Sequence, residues 1–564
     1  MALWVIIIGF LIGLALAFSI GANDVANSFG TSVGSKVLTL RNACILGSVF
    51  ETAGAVLMGS KVSSTISKGI IDVSMYDNDP GLLELGYLSS LIGGAAWLFL
   101  ATMFKLPVSG THSIVGAVLG FTLVAKGALG INWITMAKIA SSWFISPMFS
   151  GAMSAGLYLI LELVLLRMKN RRRQLERGLM LLPLFYAVTL TINAFSIFLE
   201  GPILGDIPIW GSLIMGAIVG LVAAIAAKFL VAPKIKRDII RRQNDLKCAP
   251  VDKSTSIDDL LLQQTEQMMH ANLDGDEKDE LSVSKESKES EKKITLYVDD
   301  ESVTEQTKLN ENGKDVENVD EEREQTCGDK VKASKFCCTM PGKDHYDEEE
   351  DEWTVEEDPS VFQLFAFLQI LTACFAAFAH GGNDVSNAVG PLLGLYRLYE
   401  NEIGGGTPDT WILALGGGGI SLGLWVLGRR VIETVGEDIT KITPPSGFSI
   451  ELGAATTVLI ASHAKVPVST THCKIGSVIM VGISRGGRKQ ISWGIIRSII
   501  GAWLITVPAS AIVSAAVMFM FMYTVQDSLA ASMSNYKMTG NVTMMPNETT
   551  AMFNETTTAI ARFL

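Results

Sequence analysis

Three polar side chains interrupt an apolar run near the start of the chain. Asn23, Asp24 and Asn27 stand in GANDVANSFGTSVGS (residues 21–35), directly after a stretch of almost uninterrupted hydrophobic residues. The same order returns as Asn383, Asp384 and Asn387 in GGNDVSNAVGPLLG (residues 381–394). A carboxylate between two carboxamides offers the hard oxygen ligands that a small cation takes. An ionisable group in an apolar segment is expensive to keep there, so a functional role is its default reading. The competing reading is that Asn and Asp merely glue helices together. Duplication of the whole motif, glycine included, weighs against it. The glycine ahead of each acid is expected to let the backbone unwind and add carbonyl ligands.

A second motif also occurs twice, as KLPVSGTHSIVG (residues 105–116) and KVPVSTTHCKIG (residues 465–476). Proline closes the preceding element or sits where a missing N–H does no harm. Ser109, Gly110 and Thr111, and Ser469, Thr470 and Thr471, then offer hydroxyls and backbone N–H groups. A helix N-terminus rich in Ser and Thr suits an anion, because its donors and its dipole both point outward. Two such ends facing one point suit a tetrahedral oxyanion; the plainer alternative is ordinary helix capping. Ser-x-x-His also resembles a nucleophile with a base, but no carboxylate partner is implied, so no enzyme activity is expected. For His112 and His472 a proton-coupling role stays open, since histidine titrates near neutrality. Glu51, Glu451, Lys138 and Arg497 are further charges expected inside apolar runs. Glu51 and Glu451 are candidates for cation coordination or coupling. Lys105 and Lys465, just ahead of the prolines, could attract anions or simply mark an interface.

The two copies keep one register. Asn23/Asn383, Ser109/Ser469, Thr111/Thr471, His112/His472, Trp133/Trp493 and Trp143/Trp503 all differ by 360. A constant offset at rare and polar residue types is a repeat, not coincidence.

The elements that position these motifs are long apolar runs near 3–20, 43–60, 86–104, 112–126, 133–166, 178–199, 209–231, 361–380, 409–428, 449–464, 471–484 and 491–523. Runs of about 20 apolar residues are membrane spans. The expected fold class is therefore an all-α polytopic membrane protein with about twelve transmembrane segments. The runs after Pro107 and Pro467 are short and polar enough to be re-entrant hairpins. Basic clusters at 167–177, 234–242, 429–430 and 485–489 fall on one side under this count, which the positive-inside rule makes cytosolic. The first copy then starts outside and the second inside. Two inverted repeats with broken helices are an architecture of secondary transporters. The expected division is repeat 1 over 1–166, two intervening helices over 167–233, a loop over 234–358, repeat 2 over 359–523 and an extracellular tail over 524–564.

The loop is rich in Glu, Asp, Lys and Ser and poor in aromatics, so it is expected to be disordered and cytoplasmic. It supplies much of the net charge of -12, which therefore does not point to nucleic acid. Asn541, Asn547 and Asn554 open N-glycosylation sequons in the tail, in keeping with an external C-terminus. The seven cysteines show no zinc spacing.

With both motifs in both copies, the chain resembles the inorganic phosphate transporter (PiT) family, and its acidic loop and external termini resemble the animal type III sodium-dependent phosphate cotransporters. The resemblance implies sodium-coupled uptake of inorganic phosphate. It places phosphate between the hydroxyl hairpins (Ser109, Gly110, Thr111, Ser469, Thr470, Thr471). It places sodium, the only metal expected, near Asn23, Asp24, Asn27, Asn383, Asp384 and Asn387. No cofactor is implied beyond sodium as co-substrate. The expected partners are phosphate, sodium and the lipid bilayer, with a homodimer left open, in the plasma membrane. A proton-coupled phosphate or sulfate transporter and a phosphate sensor are the alternatives.

Overall fold

A computed structural model describes residues 3–200, 207–247, 272–273, 340–341, 359–400, 410–433 and 439–539. The chain forms two compact units, one of Met1–Ile239 with Asp351–Leu564 and one of Ile240–Glu350. In the second unit the described residues include one short parallel pairing of Asn272–Leu273 with Met340–Pro341. The rest of the acidic loop and the sequons at Asn541, Asn547 and Asn554 lie outside the described residues.

The first unit is helical. Its first half contains α1 (Leu3–Gly34), α2 (Leu40–Lys68), α3 (Pro80–Met103), α4 (Gly110–Lys126) and α5 (Trp133–Leu161). Then come α6 (Arg171–Glu200), α7 (Ile209–Ala226) and α8 (Ala232–Lys247). The second half contains α9 (Pro359–Tyr399), α10 (Thr410–Leu427), the short α11 (Arg429–Glu433), α12 (Pro444–His463), α13 (Thr470–Gly486) and α14 (Trp493–Thr539). The 360-residue offset survives in the helix ends: α3 and α12 stop at 103 and 463, and α4 and α13 start at 110 and 470.

Ten helices among the described residues are long and apolar enough to cross a membrane. The runs at 449–464 and 471–484, expected as spans, do form helices (α12 and α13) but are not among those ten. α13 has only 17 residues. α12 carries Ser446, Ser449, Glu451, Thr456 and Thr457 along its length. The hydroxyls of Ser449, Thr456 and Thr457 donate to carbonyls of their own helix, so these polar residues lower the hydropathy of α12 without needing outside partners. The outward face of α5 is apolar: Phe144, Ile145 and Met148 are exposed, as expected of a surface that meets lipid rather than water.

Helices of the two halves pack against one another reciprocally. α1 lies on α10 while α9 lies on α2; α4 lies on α14 while α13 lies on α5. Glycine makes the closest of these approaches. A Cβ on Gly21 would collide with the Ile420 carbonyl, and one on Gly381 with the Glu51 carbonyl.

That contact corrects one expectation. α1 and α9 run as unbroken helices through both Asn/Asp motifs, so the glycines do not unwind the backbone. They admit a neighbouring main chain instead. The breaks occur elsewhere, at residues 104–109 and 464–469. The helices also extend beyond the apolar runs, to Gly34 and Tyr399, and α8 carries helix to Lys247 inside the stretch read as loop. Apolar periodicity ends where the buried face becomes polar, but the helix persists because that polar face is matched by polar partners.

Candidate substrate-binding site

Each break is a hairpin tip with the same local chemistry. α3 ends in a Schellman motif: Lys105 adopts φ 57, its N–H donates to the Thr102 carbonyl, and the Leu106 N–H reaches back to Ala101 (3.0 Å each). Lys465 repeats this with φ 57, donating to the Ser462 carbonyl at 2.9 Å, while the Val466 N–H reaches Ala461 at 3.0 Å. The two lysines thus turn the chain. After the proline, Ser109 caps α4 by accepting the His112 N–H at 3.2 Å, and Ser469 caps α13 by accepting the His472 N–H at 3.1 Å. The capping reading therefore holds for both serines. It leaves the N–H groups of Gly110, Thr111, Thr470 and Thr471 at the helix ends, where they have no carbonyl inside their own helix.

The two tips meet. Thr111 Oγ1 donates to the Val468 carbonyl at 2.9 Å, and Thr471 Oγ1 approaches the Val108 carbonyl at 3.2 Å. The positive ends of two helix dipoles thus converge on one place. Behind them His112 and His472 lie 4.4 Å apart, centroid to centroid. His112 packs on Trp143 at 4.1 Å and His472 on Trp503 at 3.6 Å. The His472 Nδ1 lies 2.6 Å from Ser469 Oγ.

The Asn/Asp motifs of α1 and α9 flank these tips, and all six side chains are buried. Asn27 Nδ2 donates to Asp24 Oδ1 (3.0 Å) and Thr471 Oγ1 (2.9 Å). Asn387 Nδ2 donates to Thr111 Oγ1 (3.1 Å). Thr471 and Thr470 hydroxyls lie 3.2 Å from Asp24 Oδ1 and Asp384 Oδ1 respectively. Each half therefore sends its carboxamide to the other half's threonine.

Equivalent positions are not used equally. Asn23 is fully engaged with the first tip: its amide donates to Thr102 Oγ1 (3.0 Å) and the Leu106 carbonyl (2.9 Å), and its oxygen accepts the Val108 N–H (3.0 Å). Asn383 donates to the Val468 carbonyl at 2.9 Å and to Asp384 Oδ1 at 3.3 Å, but its oxygen meets no protein donor. The Asn387 oxygen and Asp24 Oδ2 are also buried without a donor. Three oxygens without hydrogen bonds, one from a carboxylate, are what a hard cation would satisfy.

One turn further along α1 is a second polar layer. Ser28 Oγ donates to Glu51 Oε1 at 2.9 Å and lies 3.2 Å from His380 Nδ1. The Thr31 hydroxyl donates to Glu451, which pairs with Lys474. Glu51 and Glu451 are thus buried as expected, whereas Lys138 and Arg497 are exposed on the outer faces of α5 and α14. Their aliphatic stems carry the charge off the apolar surface. Thr102, Ser28, Thr31, His380 and Lys474 were not singled out from the sequence. The i, i+4 spacing of Asn27 and Thr31 on one helix face was the available signal.

The sequence pattern of the phosphate transporter family matches residues 20–514, a span that holds both motifs in both halves. The chain belongs to the phosphate transporter family. Its relatives include "Sodium-dependent phosphate transporter 1" of Mus musculus, 37% identical with 93% of this chain and 96% of that protein covered. "Sodium-dependent phosphate transporter 1-A" of Xenopus laevis is 38% identical over the same shares. A solved structure titled "The sodium-dependent phosphate transporter" superposes with a TM-score of 0.66 at 30% identity, covering 92% of this chain and all (100%) of that one. This member of the family is a multi-pass membrane transporter and not an enzyme.

Proposed function

We propose that the protein is a sodium-coupled symporter that imports inorganic phosphate by alternating access. The observation that carries this reading is the meeting of two capped helix N-termini between two buried Asn/Asp motifs. The donors and the dipoles suit an anion, and the donor-less oxygens of Asp24, Asn383 and Asn387 suit a cation. The names of its relatives support phosphate as the anion and sodium as the cation.

The order of binding follows from charge. Asp24 and Asp384 repel phosphate until cations sit on them. Sodium therefore binds first, at Asp24 and the free oxygens of Asn383 and Asn387, with Asp384 and Asn27 alongside. Phosphate then engages the tips. The Thr111 hydroxyl is now engaged by the Val468 carbonyl, and the Thr471 hydroxyl is shared between the Val108 carbonyl and Asp24 Oδ1. Phosphate entry frees those hydroxyls, and with the first-turn N–H groups of α4 and α13 they clasp its oxygens. Glu51 and Glu451, one turn away, link ion occupancy to helix movement. The two halves, an inverted pair in this reading, rock about the tips and release the cargo on the other side. Each net positive charge moved inward contributes about 2.3 kcal/mol per 100 mV, which offsets the potential's opposition to the anion. The distribution of Lys and Arg supports import from the plasma-membrane exterior, with both termini outside.

Purified protein in liposomes tests the proposal. An inward sodium gradient should drive accumulation of labelled phosphate, and removal of the gradient should stop it. Accumulation driven only by a proton gradient, or of sulfate instead of phosphate, would overturn the assignment. Binding of phosphate without accumulation would make the protein a sensor.

A further inference from the structure

The polar face of α1 does not end with the cation motif. Ser28, Thr31 and Ser35 continue it toward the helix C-terminus. Ser35 Oγ donates to Gln369 Oε1 at 2.8 Å, and the Gln369 amide donates to the Thr31 carbonyl at 3.1 Å. At the centre of this layer is Lys474. Its Nζ lies 2.7 Å from Glu451 Oε2 and 3.3 Å from Thr31 Oγ1. Both partners of the ion pair are 0% exposed, and Lys474 is the one fully buried lysine among the described residues. A lysine held so far from water needs its carboxylate, and the carboxylate needs a cation.

The layer exists in one copy only. Moving each residue by 360 converts Glu451 to Leu91, Lys474 to Ile114, His380 to Ile20, Ser28 to Ala388 and Thr31 to Pro391. Leu91, Ile114, Ile20 and Ala388 all belong to the largest apolar core. The cation and anion motifs, by contrast, are present twice. A charge that appears once is therefore not part of the duplicated binding machinery, and its position calls for another role.

An ammonium held by a carboxylate oxygen and a hydroxyl has the charge and the ligands of a bound alkali cation. It differs in being tethered. Lys474 stands one turn after Thr471 on α13, and Thr31 one turn after Asn27 on α1, and Asn27 and Thr471 are themselves hydrogen-bonded at 2.9 Å. The lysine position is thus the next layer beneath the transport site, built from the same two helices.

We propose that Lys474 is a resident counter-cation, filling a cation position made by Glu451 and Thr31 and so lowering by one the number of free cations carried with each anion. The proposal rests on the sodium-coupled reading above. It predicts that removing the ammonium while keeping Glu451 opens an extra sodium site.

Lys474→Met tests it in two assays. In proteoliposomes, the reversal potential gives the charge moved per phosphate, which should rise by one elementary charge relative to the unmodified protein. In detergent without phosphate, sodium titration of the melting temperature should show one additional ion bound. A transporting variant with the unmodified charge ratio overturns the proposal. If the variant does not transport, the melting titration decides, and sodium dependence equal to that of the unmodified protein overturns it. A variant that stays unfolded in molar sodium also overturns it, because the vacated position then accepts no free cation. Absence of sodium-driven phosphate uptake by the unmodified protein would instead refute the functional reading itself.

Discussion

Asn23 and Asn383 occupy the same place in the two motifs, yet their replacement by leucine should have different consequences. Asn23 makes three hydrogen bonds to Thr102, Leu106 and Val108. Each is worth about 1 kcal/mol net, and a buried group left without its partner costs about 1–3 kcal/mol. Asn23→Leu leaves the Val108 N–H and the Leu106 carbonyl at the first tip in need of partners. Its loss of stability should therefore be about 3 kcal/mol or more, in sodium and without it. Asn383→Leu removes the bonds to the Val468 carbonyl, which still accepts from Thr111, and to Asp384 Oδ1, which still accepts from Thr470. That loss should be about 2 kcal/mol in the absence of sodium, since both acceptors keep another donor. What Asn383→Leu should remove is the response to sodium, because its free oxygen is a proposed cation ligand. A cation at a hundred times its Kd stabilises the folded state by about 2.7 kcal/mol, so the two effects are of measurable and similar size. Denaturation midpoints of both variants, titrated with sodium chloride against choline chloride, separate them. Asn23→Leu should shift the whole curve down and keep its sodium dependence. Asn383→Leu should start between the unmodified protein and Asn23→Leu, and flatten. The reasoning is refuted if both variants lose the sodium response equally, or if Asn383→Leu is the more damaging without sodium.

Asp24→Asn should abolish sodium-coupled phosphate uptake while the protein still reaches the cell surface, as measured by labelled uptake alongside surface biotinylation. Gly21→Ala should sharply reduce the yield of monodisperse protein, because its Cβ would meet the Ile420 backbone, whereas Gly418→Ala, with nothing within 4 Å, should be near neutral. Lys105→Gly and Lys465→Gly should each stabilise the protein by about 0.5–1 kcal/mol, since φ of 57 strains a residue with a Cβ; melting temperatures check this.

The residues of the candidate site were legible in the sequence because their signal is local. Asn, Asp, Ser, Thr and Pro in apolar runs are rare, and a second copy at an offset of 360 removes chance as an explanation. Hydropathy likewise marked nearly every helix, since a span's apolar face is written in consecutive residues. The sequence could also pair Pro107 with a helix start at Ser109, because capping uses neighbours within four positions. Partnership at long range was not legible. Which carbonyl Thr111 meets depends on Val468 arriving from the other half of the chain. That Asn23 braces a tip while Asn383 keeps a free oxygen follows from different neighbours of identical motifs. The role of Gly21 was also undecidable in one dimension: absence of a Cβ permits either unwinding or close approach, and only the Ile420 carbonyl against α1 selects the second. Lys474 reads as one more lysine in THCKIG until Glu451 and Thr31 close around it. Local chemistry specifies what each side chain can bond; tertiary packing alone decides which of those bonds remain open for a ligand.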